Sequence, residues 1–277
     1  MGLDPEPAVR ALSAAPKYAG IHPDTIGDIV AGELPHATSA ADLERRSRLR
    51  LHKVAADYLM STRPSRLLRG LDEAVAAGPA ELKQWCRTVL AGHFSTAERL
   101  PDLDEVYPAI IELAGDPASI ADLACALNPF TLPWLREHSA ASYTGYDLNA
   151  NLVRPTQAFL ASTQSDARVR HGDVLFDPGA DRAELAMLLK TFHCLEDRRK
   201  GYGLRVVELA PASKVLVSFP IKAMSGRAAV FVPRMLDQLR ASAAERGWST
   251  IGARLSTEEF LLLDKGDWSS GGTDGSR

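Results

Sequence analysis

The sequence predicts an α/β protein, in which an all-helical N-terminal part precedes a doubly wound, mostly parallel sheet. Two observations carry this. Up to about Ala114 every apolar pattern has helical period and strand-like runs are missing. After Gly115-Asp116-Pro117, short apolar runs alternate with helical patterns, the arrangement that builds parallel sheets with helices on both faces.

Taken in order, helical periodicity covers Pro5 to Ala15, Pro23 to Ala31, Ser39 to Leu59, Pro64 to Ala77, Pro79 to Ala91 and Leu103 to Leu113. Several of these begin with proline at the first helical position or with a Ser or Asp cap. The strand candidates are "SIADLAC", "YTGYDL", "RVRHGDV", "ELAMLLK", "KVLVSF", "WSTIGARL" and "EFLLLD". Only Ser256-Thr257 joins the last two, so they should pair antiparallel at an edge of the sheet. The tail "GDWSSGGTDGSR" is Gly/Ser-rich and reads as disordered. The expected division is a helical domain over 1–114, a sheet domain over 115–264 and a tail over 265–277.

Bulk properties bound the function. Of 277 residues, 45% are hydrophobic and 24% charged, an ordinary globular composition, and the net charge of −3 gives no global pull towards polyanions or membranes. No run approaches the ~20 apolar residues of a membrane span, and the N-terminus has no secretory-leader pattern. Cys86, Cys125 and Cys194 are far apart and odd in number, which supports neither a disulfide framework nor a cysteine zinc site; a reduced cytoplasm fits.

The chemistry is concentrated at strand ends. In open α/β sheets ligands bind at the carboxyl ends of the strands, beside the first strand. There "ADLACALNPFTLPW" places Asp122, then the small residues Ala124 and Ala126, then an Asn-Pro turn. Small residues let a cofactor approach the backbone. The second strand ends in Asp147, 25 residues after Asp122, where an acid accepts hydrogen bonds from a ribose diol. The third ends in Asp173, which can receive an adenine amino group. No Walker lysine loop and no GxGxxG is present to cradle phosphates, which points to S-adenosylmethionine rather than NAD or ATP.

Four segments, "DLACALNPFTLPW", "LLKTFHCLED", "HFSTAERLPDLDEVY" and "SFPIKAMSGR", resemble the aminoglycoside-resistance 16S rRNA methyltransferases that modify N7 of guanine 1405 in the decoding site. The likeness runs from about Leu51 to Leu263. It implies a Rossmann-like class I methyltransferase domain with a seven-stranded sheet, behind an N-terminal helical RNA-binding domain. It further implies S-adenosylmethionine as cofactor and the assembled 30S subunit as partner. The chain is expected to act as a monomer in the cytoplasm, without a membrane.

Carried over by position, Arg99 resembles the arginine on the methionine carboxylate, with Ser95 and Thr96 close by. Ala124 and Ala126 stand on the cofactor loop. Asp147 and Leu148 stand at the ribose, and Asp173 and Val174 at the adenine. Leu189 and Lys190 close the methionine side. The family usually has glycine at the position of Ala126, arginine at that of Ala97 and glutamine at that of Arg198. The "AAVFVPRM" stretch also departs from its pattern. The residues alone leave open a methyltransferase for another RNA position or substrate, or a ribosome-docking relative without turnover.

Other residues take plainer readings. His193 is expected to line the pocket or cap a helix, Cys125 and Cys194 to be small buried hydrophobes, and Trp134 to be core. Methylation of guanine N7 needs no general base, so no catalytic group and no metal ligand is assigned. Ala40, Leu43, Ser47, Leu51, Val54 and Tyr58 recur at helical spacing as one buried stripe, with Arg45, Arg48 and His52 opposite. Between Arg45 and Arg69 stand eight Lys/Arg and one acid, Asp57. This lopsided sign favours an RNA-phosphate footprint on Arg45, Arg48, Lys53, Arg63 and Arg66.

Overall fold

The computed structural model describes residues 3–55, 66–177, 182–222 and 226–266. Three helices come first: α1 (Glu6–Ala14), α2 (Pro23–Glu33) and α3 (Ala40–Ala55). Four more follow: α4 (Leu71–Ala77), α5 (Pro79–Leu90), α6 (Phe94–Arg99) and α7 (Leu103–Ala114). Proline opens α2 and α5, where its missing N–H costs nothing. The hydroxyl of Ser39 accepts from the Asp42 amide at 3.2 Å and so caps α3. Gly115, at φ +77°, ends α7 in the left-handed conformation that glycine adopts without strain.

The sheet comprises β1 (Ser119–Leu123), β2 (Ser142–Asp147), β3 (Arg168–His171), β4 (Ala183–Leu189), β5 (Ala212–Pro220), β6 (Ser249–Arg254) and β7 (Glu258–Asp264). Between strands lie α8 (Leu132–Leu135), α9 (Ala150–Ser162), α10 (Phe192–Arg198), α11 (Tyr202–Leu209) and α12 (Val232–Glu245). The strand order is 3-2-1-4-5-7-6. Strands β1 to β5 run parallel, and β7 is antiparallel to both β5 and β6, with β6 at the edge as expected.

Alternation along the strands sorts side chains onto two faces. Ile120, Leu185, Met187, Leu216, Phe260 and Leu262 pack with α4, α5, α7, α8 and α9. Ala121, Leu123, Leu188, Val217 and Leu261 pack with α10, α11 and α12. The first three helices enclose a separate cluster around Leu12, Ile26, Val30, Leu43 and Leu51. Leu43 and Leu51 are fully buried, each contributing about 1.5–3 kcal/mol. This bundle is joined to the sheet by main-chain pairing: Ile21 bridges Asn149, His22 donates to the Leu148 carbonyl at 2.8 Å and Ala150 to that of Gly20 at 2.7 Å.

Three expectations change in detail. Helix α4 starts at Leu71 rather than Pro64, because Gly70 at φ +79° interrupts the helical path; residues 56–65, including Tyr58 and Leu59, lie outside the described residues. Of the α3 stripe, Leu43, Ser47 and Leu51 are buried, but Ala40 is exposed in the first turn, before the helix meets its neighbours. Helix α6 was hidden in a polar stretch too short for periodicity. The tail from residue 267 is outside the described residues.

Candidate cofactor cavity at the carboxyl ends of the strands

The loop after β1 is shaped by two alanines in the left-handed region, Ala124 at φ +61° and Ala126 at φ +45°. This path turns successive amides towards β2: Cys125 donates to the Tyr146 carbonyl at 2.8 Å and Ala126 to Asp147 Oδ2 at 2.9 Å. Asp122 fastens the base of the loop from below. Its Oδ2 accepts from Asn128 Nδ2 at 2.6 Å and from the Tyr143 hydroxyl at 2.5 Å. Burial pushes the Asp122 carboxyl upward, against the effect of those two donors.

Asp147 also receives the Asn149 amide on Oδ1 at 2.8 Å, which leaves lone-pair capacity on both oxygens. Burial raises its pKa to about 6 in spite of the two backbone donors, and the charges of Asp122 and Asp173 add to the shift. Asp173 is more heavily committed. Its Oδ2 accepts from Thr25 Oγ1 on α2 and from Arg198 Nη1 on α10, both at 2.6 Å, and Oδ1 accepts from the Leu175 amide at 3.1 Å.

The opposite end of the cavity is an ion network. Arg99 forks onto Glu258, with Nε–Oε1 at 2.5 Å and Nη2–Oε2 at 3.0 Å, while Nη1 donates to Asn128 Oδ1 at 2.7 Å. Lys190, itself at φ +54°, reaches the Ser95 carbonyl and Glu98 Oε2, each at 3.1 Å, and lies 3.5 Å from Glu258 Oε1. Ser218 donates to Glu258 Oε2 at 2.7 Å. Glu258 is fully buried. Burial alone would raise its pKa, but Arg99 and Lys190 more than reverse this and hold the carboxyl down at about 2. Beside the network, His93 shares a hydrogen bond of 3.0 Å with Ser95 Oγ, and burial lowers its pKa to about 4.

The three acids, Asn128, Arg99, Lys190, His93 and Arg198 line one cavity of about 310 Å³, of the size that holds a small-molecule ligand. All twelve residues expected around a cofactor border it: Ser95, Thr96, Arg99, Ala124, Ala126, Asp147, Leu148, Asp173, Val174, Leu189, Lys190 and Arg198. The forked edge of Arg99, however, faces Glu258, because a carboxylate buried this deeply requires a counter-charge. Arg50 and Lys53 of α3 complete the rim.

The residues fit S-adenosylmethionine in kind. Asp147 has spare acceptors at the end of β2, and small residues line the β1 loop. Cations stand at the far end.

Glu258 and Thr25 were not among the residues expected here, and Asn128 was expected only as part of a turn. Glu258 could have been found: it is in phase with the apolar Phe260 and Leu262 on β7, where an exposed acid would not stand. Trp134 is core, its indole donating to Asp104 at 2.6 Å. Cys125 is buried in the cavity wall, whereas Cys194 is half-exposed on the cavity and not the buried hydrophobe expected, since α10 turns it towards the opening. His193 packs on Phe231 with ring centroids 5.2 Å apart and does not border the cavity.

On α3, Arg45 and Arg48 are exposed, each in an ion pair of 2.7 Å with Asp42 and Glu44 respectively. Arg66 is exposed in the turn before α4, and Arg63 lies outside the described residues. Among the described residues no helix is long and apolar enough to cross a membrane, and no cluster suits a metal ion.

Comparison with known proteins agrees with this architecture. A 16S rRNA (guanine(1405)-N(7))-methyltransferase of Micromonospora rosea is 30% identical over 260 residues, covering 92% of this chain and 95% of the relative. The enzyme of the same name from Proteus mirabilis is 29% identical, over 76% of this chain and 79% of its own. The fold is shared with the crystal structure of the 16S rRNA methyltransferase RmtF in complex with S-adenosyl-L-homocysteine. Its TM-score is 0.79 at 24% identity, with 95% of this chain and 99% of that one covered. Residues 14–263 match the family described as ribosomal RNA methyltransferase (FmrO), and to that family this chain belongs.

Proposed function

We propose that the protein transfers a methyl group from S-adenosylmethionine to N7 of guanine 1405 of 16S rRNA in the assembled 30S subunit, and so confers aminoglycoside resistance. The carrying observation is the convergence of three strand-end acids, a small-residue loop and Lys190 on one cavity at the switch point of the sheet. The relatives' shared activity gives the acceptor.

S-adenosylmethionine supplies an electrophilic methyl group on a sulfonium. Asp147 is suited to both ribose hydroxyls, since each of its oxygens retains acceptor capacity. Asp173 and Val174 border the adenine end. Ser95, Thr96, Leu189 and Lys190 border the methionine end, with Arg99 offering single N–H bonds there while its fork holds Glu258. Guanine N7 carries an in-plane lone pair, so no residue need remove a proton. The work of the protein is alignment, worth on the order of 7–11 kcal/mol in favourable cases. The target base must leave its stack to reach the cavity.

Arg45, Arg48, Lys53, Arg63 and Arg66 are assigned to the RNA backbone. The pairs of Arg45 and Arg48 with Asp42 and Glu44 are exposed, and such pairs are worth little, about 0.2–1 kcal/mol, so phosphates can replace them. Lys53 lies on both the basic face and the cavity rim, which puts the RNA contact beside the reacting atoms. In this reading residues 1–114 supply the helical RNA-binding part and residues 115–264 the methyl-transfer part. A single chain provides the whole cavity, in keeping with a monomer working on cytoplasmic ribosomes.

The test is to incubate purified 30S subunits with the protein and labelled S-adenosylmethionine, and to map the modified nucleotide. Label at N7 of guanine 1405 is expected; label at another nucleotide, or none, refutes the proposal.

A further inference from the structure

Arg198 stands in the wall of the cavity, and its surroundings are those of a buried, firmly anchored cation. Its side chain is 3% exposed and lines the cavity beside Gly172, Asp173 and Val174. Nε donates to Asp28 Oδ2 at 2.9 Å and Nη1 to Asp173 Oδ2 at 2.6 Å. Nη2 lies 2.8 Å from Asp28 Oδ2 as an ion pair, yet among the described residues no acceptor meets it with hydrogen-bond geometry. Asp28 is held in turn by the Tyr202 hydroxyl at 2.8 Å. The guanidinium is thus fixed on two sides by α2 and by the end of β3, and it keeps donor capacity in a place closed to water. A buried donor without an acceptor carries a desolvation penalty that a suitable ligand atom removes.

We propose that Arg198 is a specificity-determining residue of the cofactor cavity: its spare N–H bond donates to an adenine ring nitrogen flanking the 6-amino group, while Asp173 accepts from that amino group. The inference rests on the S-adenosylmethionine reading above. Asp173 Oδ1 takes one hydrogen bond, from the Leu175 amide, and can accept a second. A carboxylate and a guanidinium side by side present an acceptor next to a donor. That is the complement of the amino group and neighbouring ring nitrogen of adenine. The contact also makes α2 part of the cofactor wall, because Thr25 and Asp28 hold Asp173 and Arg198 in register.

Calorimetric titration with S-adenosylhomocysteine and its 1-deaza and 7-deaza analogues tests this in the wild-type protein and in Arg198→Met. One of the two analogues should bind the wild type at least about tenfold more weakly than the parent ligand, as expected for a lost bond from a charged donor. The same analogue should lose nothing in Arg198→Met. Equal binding of all three ligands by the wild type overturns the inference and leaves the cofactor reading intact. A penalty that persists in Arg198→Met assigns the contact to a main-chain amide and overturns it equally. Should Arg198→Met fail to fold, Arg198→Leu, which also lacks a donor, serves in the same comparison. A wild-type protein that binds no S-adenosylhomocysteine overturns the cofactor reading and this inference with it.

Discussion

The left-handed alanines of the β1 loop can be relieved by substitution, and the amount follows from their surroundings. At φ +61° the Cβ of Ala124 crowds its own carbonyl, a cost of about 1–2 kcal/mol for an L-residue. Ala124→Gly removes it but adds about 0.4–1 kcal/mol of unfolded-state entropy, so the mid-range values leave a net stabilisation of about 0.8 kcal/mol. Ala126, at φ +45°, differs in one respect: its methyl packs against the main core. Losing that methyl costs up to ~0.8 kcal/mol, so Ala126→Gly should come out near neutral. Ala121→Gly is the control. Ala121 lies within β1, is 2% exposed and is not among the positive-φ residues. That variant forfeits a buried methyl and adds strand entropy, for a loss of about 1.5 kcal/mol. Urea unfolding of the three variants at constant m-value reads these differences, and Ala124→Gly should also melt about 2 °C higher. A midpoint for Ala124→Gly equal to or below that of the wild type would refute the strain argument.

The remaining predictions concern charge. Burial pushes Asp147 up to about 6 in the folded protein, above the ordinary 3.8, so it loses its charge as pH falls through that value. S-adenosylhomocysteine affinity should be flat above pH 6 and drop about tenfold per unit below it; a flat profile down to pH 5 would remove Asp147 from the ribose. Glu258→Gln leaves Arg99 and Lys190 buried beside a neutral group and should destabilise the fold by about 3–5 kcal/mol in urea; a loss below ~1 kcal/mol would mean the network is structurally dispensable. Alanine at Arg45, Arg48 and Lys53 should weaken 30S binding and flatten its salt dependence, with S-adenosylhomocysteine affinity unchanged for the Arg45 and Arg48 variants. An unaltered salt slope would take the phosphates off α3.

What could be read in advance was what has a local signature. Asp122, Asp147 and Asp173 stand at the ends of apolar runs, and strand ends in a parallel sheet share one edge, so three acids spaced along the chain converge in space. The seven strands were legible for the same reason. The partners of those acids were not. Thr25 and Arg198 meet Asp173 from 148 and 25 residues away, and Glu258 meets Arg99 across 159. Such pairings are fixed by the packing of helices on the sheet, which no local pattern encodes. Periodicity likewise revealed that α5 and α7 are helices without showing that both cover the face of the sheet beneath Ile120 and Met187. Positive φ at Ala124 and Lys190 had no signal either, because these residue types ordinarily avoid that region.

The short main-chain seam between Ile21 and Asn149 has a bearing on how the molecule opens. Slow-exchanging amides report the largest unit that must come apart to expose them. The amides of His22 and Ala150 are each closed by a carbonyl of the other segment, so neither can exchange while the three-helix bundle stays seated. Gly20 allows this closeness, since a Cβ there would lie 2.4 Å from the Asn151 side chain. If the bundle lifts as a body, deuterium should enter both amides at one common rate, distinct from that of β4 and β5 in the centre of the sheet. That pair of protons would then time the unseating of the first helices directly, without any label on the RNA.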